Sequence, residues 1–262
     1  MVLLDNEIVK DIVSKAKRID GRKFDEYRKI NVQKGVVGKA NGSARVDIGN
    51  TTVMAGVKIE PGEPFPDTPD EGVLIVNAEF VPIASPDFEP GPPDEYSVEL
   101  ARVVDRMIRE SEAIDMKKMA ITKDEVWKVM IDIIILDHDG NLIDASGLAA
   151  VSALLDAKMP VYTIENDKVV VDYEKNGATP LPIERKPVSV TVFKISNSLL
   201  LDLTAMEEQV MDARLTVGSF ERDGNILLCS MQKGGSGGFT PEEIDRAVDM
   251  ATEKGKELRA LL

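Results

Sequence analysis

Cysteine is almost absent: Cys229 stands alone in 262 residues. One thiol excludes a disulfide framework, and nothing around it has the spacing of metal ligands. No apolar run approaches the ~20 residues that a membrane-spanning helix needs. Residues 1–18 are amphipathic, carry acids and have no signal-peptide core. These absences predict a soluble, cytoplasmic protein with no membrane partner. Positive charge is also scarce, with 32 Lys and Arg against 46 Asp and Glu and a formal net charge of −14. That balance alone argues against nucleic acid, whose phosphates are bound by Lys and Arg. The deficit is uneven, however. No Lys or Arg lies between Lys58 and Arg102, where acids crowd. The cations are concentrated elsewhere, and a local basic patch survives the average.

What the chain does have is core. At 43% hydrophobic it can bury a sizeable interior, as one large domain or two small ones. Residues 126–136 form a β-branched run that reads as a strand buried on both faces. Asp137-His138-Asp139-Gly140-Asn141 follows as a turn, with Gly140 free to take positive φ. Small and apolar residues dominate 145–158 and predict a helix packed tightly on a sheet, stopped by Pro160. Further helices are predicted at 6–18, 95–114 and 241–261, the last opened by a Thr240-Pro241-Glu242-Glu243 capping box. Strand patterns occupy 30–48 and 51–59, joined at Gly49-Asn50, then 73–81 and a hairpin through Asn166-Asp167. A second series covers 188–195, 198–202, 213–220 and 226–232. Residues 60–72 and 82–94 read as acidic, Pro-rich loops, and 177–187 as a linker between halves. Each half thus runs strands first, then helix. The fold class is α+β, with mixed sheets, packed helices and two halves that are candidates for structural relatives.

Four stretches offer chemistry. Arg102, Arg106 and Arg109 share one helix face within roughly 60°. Either they form a solvated face, with Glu99–Arg102 and Asp105–Arg109 ion pairs, or they form a ladder whose guanidinium forks grip phosphates. The 137–141 turn holds the only histidine, with Asp144 nearby, but its glycine falls too early for a calcium loop, so an Asx turn competes with a metal site. Residues 233–238 are a glycine run before a helix without the Walker pattern, which favours a flexible connection over a phosphate loop. Residues 202–214 are acidic and suit equally a metal or acid/base site and a solvated turn.

Several stretches together resemble the RNase PH family. They are Arg18-Ile-Asp-Gly-Arg22, residues 42–53 (GSARVDIGNTTV), residues 99–109 (ELARVVDRMIR), the strand-turn-helix of 127–160, and the segment from Asp202. The order and spacing match over nearly the whole chain. Within the family, residues 136–146 (LDHDGNLIDAS) and 99–106 are similar to the non-catalytic RNase PH-like subunit of the archaeal exosome. The resemblance implies an RNase PH-like two-layer fold, with 1–29 as an N-terminal helix and extension, 30–176 as a first domain and 188–262 as a second.

Active members of this family cleave RNA from its 3′ end with inorganic phosphate. Their site needs a Gly-Ser/Thr-Arg triplet for phosphate and two aspartates six apart. Here Gly140-Asn141-Leu142 stands at the triplet, and Glu208 and Arg214 stand at the aspartates. Leu142 has no cation or donor, and Arg214 reverses a charge. The resemblance therefore implies degenerate positions at Asn141, Leu142, Glu208 and Arg214, no catalytic residues of its own and no cofactor or metal. It also implies RNA contact through Arg102, Arg106 and Arg109. The implied partners are a homologous catalytic subunit in a ring of three pairs, RNA-binding cap subunits and single-stranded RNA. An alternative keeps an enzyme, with a shifted metal site on Glu207, Glu208 and Asp212. A third ignores the family and places a nucleotide at Gly234.

Overall fold

The computed structural model describes residues 6–165, 168–172 and 177–262. Helix α1 (Asn6–Ser14) is followed by strands β1 (Ile30–Lys34), β2 (Gly42–Ile48), β3 (Thr51–Gly62) and β4 (Val73–Phe80). Next come α2 (Glu95–Glu110), β5 (Val126–Asp137), α3 (Leu142–Asp156) and the hairpin strands β6 (Tyr162–Glu165) and β7 (Lys168–Val171). The second half holds β8 (Val188–Ile195), β9 (Ser198–Leu201), α4 (Ala205–Glu208), β10 (Ala213–Arg222), β11 (Asn225–Gly234) and α5 (Pro241–Arg259). The Asn166-Asp167 turn expected between β6 and β7 lies outside the described residues.

One sheet has the order β1-β2-β3-β5-β4, with only β4 and β5 parallel. The other has the order β11-β10-β8-β9 and is antiparallel throughout. The layers stack sheet, helices, sheet, helix. Helix α3 packs on β2 and β3 on one side and on β8 on the other, and α5 covers β8 and β10. Every residue of α3 from Ile143 to Leu154 is buried. That explains a helix apolar on all sides: both of its faces meet a sheet. Gly147 permits the approach, since a Cβ there would lie 2.6 Å from Ser189 Oγ on β8. Leu148, Ala149, Val151 and Leu154 join residues of both sheets in one continuous core.

Burial on both faces falls to a different strand from the one expected. In β5 the inward residues Val129, Ile131, Ile133 and Ile135 are buried, but Lys128, Met130, Ile134 and Leu136 are half-exposed and Asp132 is exposed. Among the described residues, helices pack on the inward face of the first sheet, so β5 alternates as a one-sided strand does. Strand β8, held between α3 and α5, is the one buried on both faces, with only Lys194 half-open. Residues 177–187 are also less free than a linker. Leu181 donates its N–H to Ala157 O at 2.8 Å and Glu184 to Ala113 O at 2.8 Å, so the segment lies along the first half. Helix α2 stops at Glu110, short of the expected 114, capped by Ser111. Helix α4 is an element the pattern reading missed, although Thr204 and Glu207 form a capping box around it.

Candidate functional site

The turn between β5 and α3 is built by its backbone. Gly140 has φ of 86° and Asn141, the N-cap of α3, has φ of 54°. A Cβ on Gly140 would lie 2.3 Å from Leu203 O, so the turn seats directly on the second half. Asn141 does not cap its helix with its side chain. Its Nδ2 donates to Asp202 Oδ1 at 3.0 Å, and its backbone N–H donates to Glu208 Oε1 at 2.8 Å. Backbone N–H groups at a helix start are the groups that receive an anion. Here one of them already holds a carboxylate of the same chain. Leu142, next in line, supplies no polar side-chain atom.

Glu208 occupies the wall of a cavity of about 350 Å³, together with Asn141, Leu142, His138, Met211 and Arg214. Burial pushes its carboxyl up to about 7, against the opposing pull of the Asn141 N–H bond and of Arg214 and Arg28. Arg214 is itself occupied: Nη2 lies 2.7 Å from Glu99 Oε2 on α2. The structure therefore brings Asn141, Leu142, Glu208 and Arg214, the four positions expected to be degenerate, to one cavity, and it satisfies the charge at Arg214 internally. His138 stacks on Phe88 with ring centroids 5.4 Å apart, and burial holds its imidazole below the usual value.

Beneath the turn lies a network that pattern reading did not assign. Asp202 is fully buried and accepts from Arg22 Nη1 at 2.9 Å, Arg28 N at 2.7 Å, Arg28 Nε at 2.9 Å and Arg28 Nη2 at 2.7 Å. Burial alone would raise its carboxyl, but the Arg28 hydrogen bonds and charge outweigh that and hold it below the usual value. Arg28 Nη1 also donates to Asp139 O at 2.5 Å. Arg18 donates to Leu201 O at 2.9 Å, Asp202 O at 2.7 Å and the Glu207 carboxylate. The Arg18–Arg22 motif thus bolts the N-terminal extension to the second half. Nothing in the local pattern around Arg28 distinguishes it, because its partners come from distant parts of the chain.

Asp144 makes a similar joint. It accepts from Tyr27 Oη at 2.6 Å, Thr191 N at 3.0 Å and Thr191 Oγ1 at 2.8 Å. Burial raises its carboxyl to about 6, while these donors pull the other way. Among the described residues, no three His, Cys, Asp or Glu side chains converge as a metal site. The shifted site on Glu207, Glu208 and Asp212 is not assembled either. Glu207 turns to Arg18, Glu208 to Asn141, and Asp212 Oδ2 accepts from Ser196 N at 2.5 Å. In the glycine run, Gly235 and Gly237 press on the backbone of Asp212, with Gly237 N donating to Asp212 O at 2.6 Å. Those glycines serve close packing.

The arginines of α2 divide. The helix is capped by Asp94, whose side chain accepts from Ser97 N, and it buries Leu100, Val103, Val104, Met107 and Ile108. On the outer face Arg109 is consumed: it bonds Asp105 at 2.7 Å and 3.1 Å and Leu74 O at 3.0 Å. The expected Glu99–Arg102 pair is absent because Glu99 turns to Arg214. Arg102 and Arg106 are exposed, and among the described residues neither makes an ion pair or hydrogen bond. They line a groove of about 500 Å³ between α2 and the Ser230–Gln232 part of β11.

Comparison with known proteins bears on this geometry. Residues 26–160 match domain 1 of the 3′ exoribonuclease (RNase PH) family, and residues 186–254 match domain 2. The chain is 48% identical over 251 residues to exosome complex component Rrp42 of Methanothermobacter thermautotrophicus, covering 95% of this chain and 91% of the relative. It is 50% identical over 243 residues to Rrp42 of Methanopyrus kandleri, covering 92% and 89%. A subunit in the structure of the Archaeoglobus fulgidus exosome with RNA bound to the active site superposes with a TM-score of 0.89 at 46% identity, over 97% of this chain and 96% of that one. The rice Rrp46 structure, at 15% identity and a TM-score of 0.67, covers 92% and 96% and shares the fold. On these matches and on the two-sheet architecture, the chain belongs to the RNase PH family of 3′ exoribonucleases.

Proposed function

We propose that this chain is a non-catalytic subunit of an exosome 3′–5′ exoribonuclease ring. It pairs with a homologous catalytic subunit, three pairs making the ring, supports that partner's active site and adds RNA contacts through Arg102 and Arg106. The observation that carries the reading is the turn at Gly140-Asn141-Leu142. Phosphorolysis needs fixed positive charge and free donors around the attacking phosphate. Leu142 offers neither, and the Asn141 N–H is held by Glu208. Arg214 is neutralised by Glu99, so it does not stand in for the missing cation. Arg102 and Arg106, in contrast, keep all their donors for phosphate oxygens. Arg109 contributes less to RNA, since its guanidinium is tied to Asp105 and Leu74.

Co-purification tests the proposal. Alone, the chain forms no ring and degrades no RNA in phosphate. Mixed with the homologous catalytic subunit it gives a complex with the mass of three pairs, with activity above that of the partner alone. A mixture that neither assembles nor gains activity would sink the proposal.

A further inference from the structure

The first sheet ends at β4, which among the described residues has a strand neighbour, β5, on one side only. The Leu74 carbonyl looks away from β5, because Arg109 on α2 reaches it at 3.0 Å. The N–H and C=O of one residue leave a strand on the same side, and the side alternates along the chain. Val76 and Ala78 therefore direct their main-chain groups to the same open edge. That edge opens into a groove of about 970 Å³ between β4, the N-terminal half of α2 and the 82–94 loop. An uncovered edge is a template for another strand.

The walls of the groove specify what that strand carries. Glu79 and Asp132 stand on the outer face of the sheet, and Asp87 and Glu89 on the loop. Among the described residues none of the four is in an ion pair. The inner side presents Phe80, Val98 and Ala101. A strand laid along β4 alternates its side chains between these two environments. Among the described residues, Arg102 on α2 is the one cation in the lining, and the acids outnumber it.

We propose that this groove is a docking site for an extended segment of a partner protein, added as a strand to β4, with Lys or Arg on one side and apolar residues on the other. Main-chain bonds to Val76 and Ala78 hold the segment, and the alternation selects its sequence. Arg102 lines both this groove and the one assigned to RNA, whereas Arg106 lines only the latter; the strand-addition reading does not depend on RNA contact.

The test uses the full chain and a fluorescein-labelled nonapeptide alternating Lys with Val and Thr. Anisotropy at low salt is expected to show saturable binding, and hydrogen exchange to show slowed Val76 and Ala78 amides. An analogue with Glu in place of Lys is expected not to bind. The Glu79→Lys/Glu89→Lys variant is expected to weaken binding at least about tenfold. Asp245→Lys/Glu253→Lys, an equal change of net charge on α5, is expected to alter it less than about twofold. Equal losses in the two charge variants, no saturable binding, or unprotected Val76 and Ala78 amides in the bound wild-type chain would each overturn the proposal. Val76→Pro, which removes an outward N–H, adds a check that does not alter charge: undiminished binding contradicts strand addition.

Discussion

Replacing Glu208 with Gln should change the pH dependence of stability in a defined direction. The carboxyl sits on the Asn141 N–H in a part-closed cavity and titrates at about 7. In the unfolded chain it titrates at its ordinary value near 4.5. A folded-state value above the unfolded one means the native state binds the proton more tightly. Its contribution is fully present below about pH 4.5 and is lost as pH rises through 7. At about 1.4 kcal/mol per pH unit over the part of this window between pH 5 and 8.5, the native state loses about 2–3 kcal/mol from this group. Gln keeps the shape and an acceptor for Asn141 but cannot ionise. Urea unfolding at pH 5 and at pH 8.5 measures the effect in both proteins. Stability of the wild type minus that of Glu208→Gln should fall by about 2–3 kcal/mol between the two pH values. Asp144 and every other titrating group are common to both proteins and cancel. A difference that stays constant with pH would refute the claim that a buried, self-supplied acid fills the anion position of the turn.

Asp144→Ala should destabilise the chain by about 2–4 kcal/mol, because it strands the buried Thr191 N–H and the Tyr27 hydroxyl, while the Thr191 hydroxyl keeps Thr216 Oγ1 at 2.9 Å; a loss below about 1 kcal/mol in urea melts would show that the joint between halves lies elsewhere. Arg102→Glu/Arg106→Glu in the assembled ring should weaken RNA binding by about tenfold or more and flatten its salt dependence, while Arg109→Gln has a smaller effect on affinity. Filter binding at low salt measures both, and unchanged affinity removes these residues from the RNA path. Glu99→Gln should leave Arg214 uncompensated beside Glu208 and lower the Glu208 titration, visible as a shift of the pH-dependent step to lower pH; an unmoved step would show that the two groups do not interact.

Much of the fold is written in short-range pattern. The β-branched run at β5, the positive-φ glycine after it, the all-apolar α3 and the Thr240–Glu243 box on α5 each depend on residues a few positions apart. Such signals survive without knowledge of the rest of the chain. What pattern could not supply is partner choice across the chain. Glu99 has Arg102 within helical reach, yet it pairs with Arg214, because β10 brings a less exposed guanidinium to it. That exchange is what leaves Arg102 free. Asp202 reads locally as one member of an acidic run, whereas the structure makes it the acceptor for Arg22, Arg28 and Asn141. The half-open face of β5 follows from the same limit: alternation is weak when both faces carry aliphatic residues, and only the location of the helices reveals which face is covered.

The most direct test of the central claim is release of nucleoside diphosphates from single-stranded RNA by the isolated chain in saturating inorganic phosphate, with and without divalent cation, followed to long times. The account predicts no release above the protein-free blank in either condition, with release restored on adding the homologous catalytic subunit. Sustained diphosphate release by the isolated chain would contradict it.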